Sequence, residues 1–409
     1  MNLLQGQLQE QLKESLYDVD KIKKNAGLNL KGIPDAIEKG TLGMFSWVAY
    51  DREGVDPDGT PILFKDYAPA PVIMTAGHGV GKTGLGRTMA FSIGGKFVFI
   101  SGQPDLSSSK IMGRDIFVGD QFYYAKGSIN ANIVLFDEIP KTPPKVQAPF
   151  FQAMEERQAI VDTFDKESKS VVNKRVPLTP IFEDMPDGKL FFWPIATGNP
   201  YEQEGNFELP EALWDRFSIH FGIGYPDRES EKLIDSRNFC GPDKPIIRPV
   251  ITLERAHQIG HFYANNIEIG PDMVEYIERL TENSRHRERD KPELRDHASK
   301  SLKRFVDQYT RAGASPRYNF HFKAVVRTLA AFRERLYVTV DDVRDVFHLV
   351  ATHRMLLNRL AVGRNIKQKD LVNEILKHTP IPPAGSKSMV SFAGLEIGPF
   401  RRFRSYVGV

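Results

Sequence analysis

A single cysteine, Cys240, in 409 residues excludes an intramolecular disulfide and any zinc site built on several cysteines, and leaves packing as the role of that thiol. Long apolar runs are also missing. No uninterrupted stretch approaches the ~20 residues of a membrane span, and the N-terminus, with Gln5, Gln7, Gln9 and Glu10, lacks the basic and apolar regions of a signal peptide. The expected location is therefore the cytoplasm, with no membrane attachment. Charge of one sign is scarce as well: a formal net charge of +3 on this length does not by itself argue for nucleic acid. No repeat or low-complexity tract is evident. What is present is a chain long enough for two or three domains, with 41% hydrophobic residues to fill their cores.

Two motifs carry the chemistry. The apolar run Asn132-Ile133-Val134-Leu135-Phe136 ends in Asp137 and Glu138. A strand ending in two acids can hold a hydrated Mg²⁺ through the first and leave the second to polarise an attacking water. Upstream stands Ala76-Gly77-His78-Gly79-Val80-Gly81-Lys82-Thr83, followed by Gly84, between the strand-like Pro71 to Thr75 and the helix-compatible Leu85 to Ala90. Strand, glycine-rich turn and helix form the context in which such a loop cradles phosphates. Gly77, Gly79 and Gly81 let backbone N–H groups turn inward, Lys82 places a point charge on the outer phosphates, and Thr83 offers its hydroxyl to the metal. The candidate nucleotide contacts are thus Gly77, His78, Gly79, Val80, Gly81, Lys82, Thr83, Gly84 and Asp137, with Thr83 and Asp137 as metal ligands. Ala76 stands where the strict pattern has glycine.

Leu4, Leu8, Leu12 and Leu16, continued by Val19 and Ile22, predict an amphipathic N-terminal helix, whose stripe either packs on the chain's own core, the commoner use of such a face, or binds a partner. From Gly40 to Ala70 the Gly, Pro, Asp and aromatic content predicts short strands and turns. Strand candidates at 72–75, 97–101, 133–136, 195–197 and 218–222 alternate with helical stretches, the signature of a parallel α/β sheet with its ligand at the carboxyl ends of the strands. A Pro- and Gly-containing link, 240–249, then leads to a helical half. There the spacing predicts helices over 253–265, 271–284, 322–336 and 340–357, with Thr339-Val340-Asp341-Asp342 as a helix start. The stretch 285–311 is dense in both charge signs and reads as a solvated helix. These breaks give an N-terminal helix and lead-in at 1–69, an α/β nucleotide-binding core at 70–240, a helical lid at 241–357 and a C-terminal extension at 358–409.

Further blocks follow in order: Ile139-Pro140-Lys141-Thr142-Pro143-Pro144-Lys145-Val146-Gln147, Gln152-Ala153-Met154-Glu155-Glu156-Arg157-Gln158, Ala196-Thr197-Gly198-Asn199-Pro200, Leu209-Pro210-Glu211-Ala212 with Asp215-Arg216-Phe217, and Gly313-Ala314-Ser315-Pro316-Arg317. With the two motifs above, this set closely resembles the MoxR family of AAA+ ATPases over about residues 70 to 355. The resemblance implies a P-loop NTPase sheet domain with a helical lid, ATP and Mg²⁺ as cofactors, and a homo-oligomeric ring, a hexamer. It also implies a protein client, and partners carrying a von Willebrand factor A domain. Residue by residue it makes Glu138 the water-activating acid, Asn199 the first sensor, Arg216 an arginine finger reaching the neighbouring subunit's nucleotide, and Arg317 the second sensor, from the lid of the same subunit. A finger given in trans makes hydrolysis depend on assembly.

Three departures from the family pattern carry expectations of their own. Pro194 should force a bulge or a late strand start, since proline cannot donate to a central ladder. Pro149 should delay or kink the helix between Pro144 and Arg157. The long stretch from Gln158 to Phe191, with Lys166, Lys169, Lys174 and Arg175, and the stretch 116–127 are expected to be hairpins that handle the client. A rival function, a nucleic-acid motor, rests on that basic run, which also holds Asp162, Asp165, Glu167, Glu183, Asp184 and Asp187. A nucleotide-gated scaffold would need a defective site, and Lys82, Asp137, Glu138, Asn199 and Arg216 are all in place.

Overall fold

A computed structural model describes residues 2–55, 60–77, 79–119, 121–165, 170–178, 191–198, 207, 209–238, 246–285 and 299–382. His78, Asn199, Lys166, Lys169 and Cys240 lie outside the described residues, as do most of the charged stretch after Arg285 and the tail from 383.

The N-terminal helix α1 (Asn2–Asn29) lays Leu12, Val19, Ile22 and Ala26 into the main core, where each is fully or almost fully buried. The leucine stripe is therefore a core face of this chain. Its polar residues fasten two neighbours. Ser15 Oγ lies 3.0 Å from Tyr263 Oη and Asp18 accepts from Arg255 at 2.8 Å, while Asn25 and Asn29 donate to Ser92 and Thr88, each at 2.9 Å. Helix α2 (Pro34–Phe45) follows, so 40–45 is helical and not the strand and turn its composition suggests. The reason is close approach: a Cβ on Gly43 would lie 2.5 Å from Val72 Cγ2, and only glycine lets this helix rest on the sheet. The antiparallel pair β1 (Trp47–Val55) and β2 (Pro61–Pro69) completes the lead-in.

The α/β core runs β3 (Val72–Ala76), α3 (Lys82–Ser92), β4 (Phe97–Ser101), α4 (Ser108–Met112), the hairpin β5 (Gly113–Val118) and β6 (Gln121–Lys126), then β7 (Ile133–Asp137) and α5 (Pro144–Glu156). It continues with the hairpin β8 (Gln158–Asp165) and β9 (Ser170–Pro177), then β10 (Trp193–Gly198), α6 (Glu211–Trp214), β11 (Ile219–Ile223) and α7 (Arg228–Asn238). Five parallel strands pair in the order β11-β3-β10-β7-β4. Alternate residues serve opposite faces, as the two-residue strand period requires: Val72, Met74, Ile133, Leu135 and Ile195 join the cluster shared with α1 and the lid, while Ile73, Val134, Phe136 and Ala196 pack against α5 through Phe150 and Phe151. All five predicted strands are present and parallel.

Both prolines are accommodated without the disruption expected of them. Pro194 lies inside β10 in unbroken register with β7. Trp193 donates to Asn132 O on the β7 side, so the Pro194 nitrogen faces the β3 side, where pairing begins only at Ile195. No ladder bond is lost. Pro149 lies inside a continuous α5. The carbonyl it deprives of a donor, Lys145 O, accepts instead from Ser108 Oγ of α4 at 2.9 Å. Hairpins form in both expected stretches and lie side by side, joined by a hydrogen bond between Thr163 and Asp115.

The lid comprises α8 (Leu253–Asn266), α9 (Pro271–Asn283), α10 (Lys300–Tyr309), β12 (Thr310–Ala312), α11 (Arg317–Phe332), α12 (Val340–Ala351), β13 (Leu356–Leu357), α13 (Arg359–Gly363) and α14 (Gln368–His378). The predicted start of α12 is a capping box made by Thr339 and Asp342. Asp342, fully buried, also pairs with Arg333 at 2.8 Å and Arg335 at 2.6 Å. Among the described residues no helix is long and apolar enough to cross a membrane.

Candidate active site

The turn between β3 and α3 is held open by its backbone. Gly79 and Gly81 have φ of +74° and +93°, values that L side chains rarely adopt, and the first turn of α3 begins immediately after them. Loop N–H groups and a helix amino terminus thus face the same space, the arrangement that binds phosphate. Lys82 is buried, its ammonium donating to Ala76 O at 3.2 Å. Thr83 follows on the first turn. The loop has neighbours that the motif does not name. Tyr225 Oη comes within 2.8 Å of a Cβ built on Gly77, and Leu30, at the end of α1, within 2.9 Å of one on Gly84.

Strand register brings the acid pair to the same end of the sheet. Gly198 pairs with Thr75 and Ala196 with Phe136, so β3, β10 and β7 finish level, with Asp137 two strand spacings, about 10 Å, from β3. Thr197 holds the pair: its hydroxyl donates to Asp137 Oδ1 at 2.5 Å and accepts from the Glu138 N–H at 2.9 Å. Glu138 has φ 52° and ψ 47°, a left-handed conformation that costs of order 1 kcal/mol or more in a non-glycine residue. Gly102 stands directly behind the turn, donating to Asp137 O at 2.8 Å, where a Cβ would lie 2.3 Å from Glu138 O. The Glu138 carboxylate meets Lys141 Nζ at 2.6 Å. Asn199 directly follows β10 and lies outside the described residues.

The two candidate arginines stand at the opposite end of the sheet. Ser218 donates to Pro71 O just before β11 and β3 begin, and Arg157, at the end of α5, donates to Pro69 O and Phe192 O just before β3 and β10. Beside these groups the Glu155 carboxylate lies 3.1 Å from Arg216 Nε and 2.5 Å from an Arg317 amino nitrogen. Arg317 also approaches Asp215 at 3.8 Å; Asp215 is fixed by Ser315 Oγ at 2.7 Å and by the buried Arg354 at 3.0 Å. A cavity of about 520 Å³ opens here, lined among others by Tyr50, Glu155, Arg157, Arg216, Arg317 and Phe320. Five residues of strand, about 16 Å, separate this edge from the phosphate loop. Arg317, expected at the loop of its own subunit, here shares the Glu155 carboxylate with Arg216.

Two histidines of the lid, His321 and His353, bind this edge, and His220 of β11 meets the His353 ring edge-on. His353 Nε2 lies 2.9 Å from Phe217 O, His321 Nδ1 lies 2.9 Å from Ser218 Oγ and 3.0 Å from Arg354, and His220 bonds Thr75 Oγ1 at 3.0 Å. Burial favours the neutral ring in each, pushing His220 down to about 4 and the other two well below the ordinary histidine range.

Comparison with known proteins agrees with this architecture. Residues 71–219 match the ATPase family associated with various cellular activities (AAA), and residues 302–375 match the AAA lid domain. Chaperone MoxR1 of Mycobacterium tuberculosis is 31% identical over 313 residues, covering 76% of this chain and 74% of its own length. The chain belongs to the MoxR family of AAA+ ATPases. The uncharacterized protein YeaC of Bacillus subtilis is 30% identical over 319 residues, 77% of this chain and 86% of its own. Protein MoxR of Methylorubrum extorquens is 25% identical over 331 residues, 77% and 88% of the two chains. A solved structure from Cytophaga hutchinsonii, provisionally assigned as an ATPase, shares the fold with a TM-score of 0.71 at 23% identity, over 92% of this chain and 99% of that one. Membership in this family of ATPases implies nucleotide binding by this MoxR chain.

Sequence reading missed Thr197, Gly102, Tyr225, Leu30 and Glu155. Thr197 and Glu155 both stand inside quoted blocks, which was a usable signal. Gly102, Tyr225 and Leu30 are joined to the site only by folding.

Proposed function

We propose that this MoxR protein hydrolyses ATP with Mg²⁺ as a subunit of a cytoplasmic homo-oligomeric ring, a hexamer by family resemblance. On this reading its cycle remodels or matures a protein client, and a von Willebrand factor A domain protein is the kind of partner the family suggests. One observation carries the reading: the glycine loop and the acid pair lie at one end of the sheet, and Arg216 and Arg317, bridged by the partly exposed Glu155, lie at the other, which fits two half-sites that neighbours unite.

The residues fit their proposed roles. Thr83 and Asp137 form an all-oxygen donor set suited to Mg²⁺, with Thr197 fixing the carboxylate. The metal supplies charge neutralisation at the phosphates. Gly77, His78, Gly79, Val80, Gly81 and Gly84 surround the phosphates, and Lys82, now turned to Ala76 O, swings to them. Glu138 accepts the proton of the attacking water once Lys141 releases it, and Asn199 orients that water. Arg216, and with it Arg317, reaches the neighbour's nucleotide and stabilises charge in the transition state. The exposed hairpin residues Phe117, Val118, Tyr123, Val171 and Val172 favour a protein client over nucleic acid.

A mixture of Arg216→Ala and Glu138→Gln subunits tests the division. Each variant alone should hydrolyse ATP at least about a hundredfold more slowly than the parent. Mixing creates interfaces with both residues intact and should restore part of the rate. Absence of any restoration would remove the trans assignment.

A further inference from the structure

We propose that Glu155 is an internal stand-in for a phosphate: in a lone subunit its carboxylate occupies the place between Arg216 and Arg317 that a neighbour's nucleotide takes on assembly. This rests on the trans reading of the two arginines and adds the element that regulates them.

The geometry singles out Glu155. Its two oxygens divide between the arginines, 3.1 Å to Arg216 and 2.5 Å to Arg317, which is how a planar oxyanion bridges two guanidinium groups. The Arg216 contact is an ion pair without hydrogen-bond geometry, and the buried Arg216 Nε has no hydrogen-bond partner. That nitrogen is still available to a better acceptor. The other acid of the cluster is not free to act. Asp215 is committed to Arg354 and Ser315 and is 18% exposed, whereas Glu155 is 37% exposed and sits on the rim of the cavity. Among the described residues the cavity is lined by Lys65, Arg157, Arg216 and Arg317 against Asp51, Glu155 and Glu156, with Asp215 committed to Arg354 beside it. Withdrawing Glu155 into solvent leaves two arginines facing an open cavity with a surplus of positive charge.

Helix chemistry points the same way. Glu155 lies in the last turn of α5, where the unsatisfied carbonyls disfavour a carboxylate. Its position is maintained by the arginines and does nothing for the helix. Partly exposed ion pairs of this kind are worth about 1 kcal/mol or less, so a polyanionic phosphate can displace Glu155. The contact thus keeps the arginines ordered before assembly and sets a threshold that assembly must pass.

Glu155→Gln keeps the shape and removes the charge. ATPase activity per subunit, measured against protein concentration, should reach half its maximum at about two- to fivefold lower concentration than in the parent, in line with an ion pair of that strength. The plateau rate should stay within about twofold. In the Arg216→Ala background, where the rate is too low to read, the assembly midpoint measured by sedimentation with ATP should shift less on adding Glu155→Gln than it does in the parent, an effect a merely structural role would not produce. Glu155→Asp, too short to span both arginines, should fall between parent and Gln. An unchanged or raised half-maximal concentration in Glu155→Gln overturns the proposal, as does a lowered thermal midpoint together with a lowered plateau in both variants. The mixing experiment separates the two ideas: restored activity on mixing with no shift in Glu155→Gln sinks the stand-in alone, and no restoration on mixing sinks the trans reading beneath it.

Discussion

The two ends of the central sheet are built on different plans. At the carboxyl end the chemistry is local: a loop of consecutive residues and two adjacent acids, each placed by the strand it terminates. At the amino end nothing is contiguous. Glu155 comes from the end of α5, Asp215 and Arg216 from the turn before β11, Arg317 from the start of α11 and Arg354 from the turn after α12. The first end can lose a functional group and stay folded, because its groups face a ligand. The second is also the joint between core and lid, so function and stability share the same side chains.

That contrast can be broken most severely at Lys82. Lys82→Ala should abolish ATP binding, measured by titration of a fluorescent nucleotide, while the urea midpoint stays in place or rises. The buried ammonium has one backbone acceptor, and removing it leaves no buried partner charge. At the other end the reverse is expected. Arg354→Met should destabilise the fold by about 3 kcal/mol or more in urea unfolding, because Asp215 loses its buried cation and the Asp215, Ser218 and Val350 carbonyls lose their donor. A smaller, pH-dependent effect should come from the same joint. His220 is neutral in the fold to about pH 4, while the unfolded chain protonates below about 6.5. The unfolded state therefore binds more protons in that window, and stability present above pH 6.5 is lost as pH falls toward 4, by about 3 kcal/mol from this residue. His321 and His353 shift in the same direction. Unfolding free energies between pH 7.5 and 5 should fall accordingly, and His220→Gln should flatten the slope.

The carboxyl end was readable because phosphate chemistry demands glycines, a lysine and acids at fixed spacing on a strand and a turn. The parallel sheet was readable from five apolar runs, and the start of α12 from its Thr and Asp pair. The misreadings share one cause. Pro149 was expected to disturb α5, and Ser108, forty residues upstream, repairs the missing bond. Pro194 was expected to disturb β10, and the offset between β3 and β10 leaves its nitrogen without a ladder bond to make. Gly40 and Gly43 of α2 suggested turns and instead permit contact with Met89 and Val72. In each case a neighbour remote in sequence decides what a local rule leaves open.

The same division separates what the sequence by itself determined about this protein from what only folding decided. Composition, periodicity and the two motifs were enough for an α/β nucleotide-binding core with a helical lid, since backbone geometry and phosphate recognition act over a few consecutive residues. The assignment of Arg317 to one edge beside Arg216, the clamp of Thr197 on the acid pair and the bridging place of Glu155 required the tertiary structure. An arginine reads the same in sequence whichever face it reaches; its partner is set by how the lid docks, through His321, His353 and Arg354, on the amino end of the sheet.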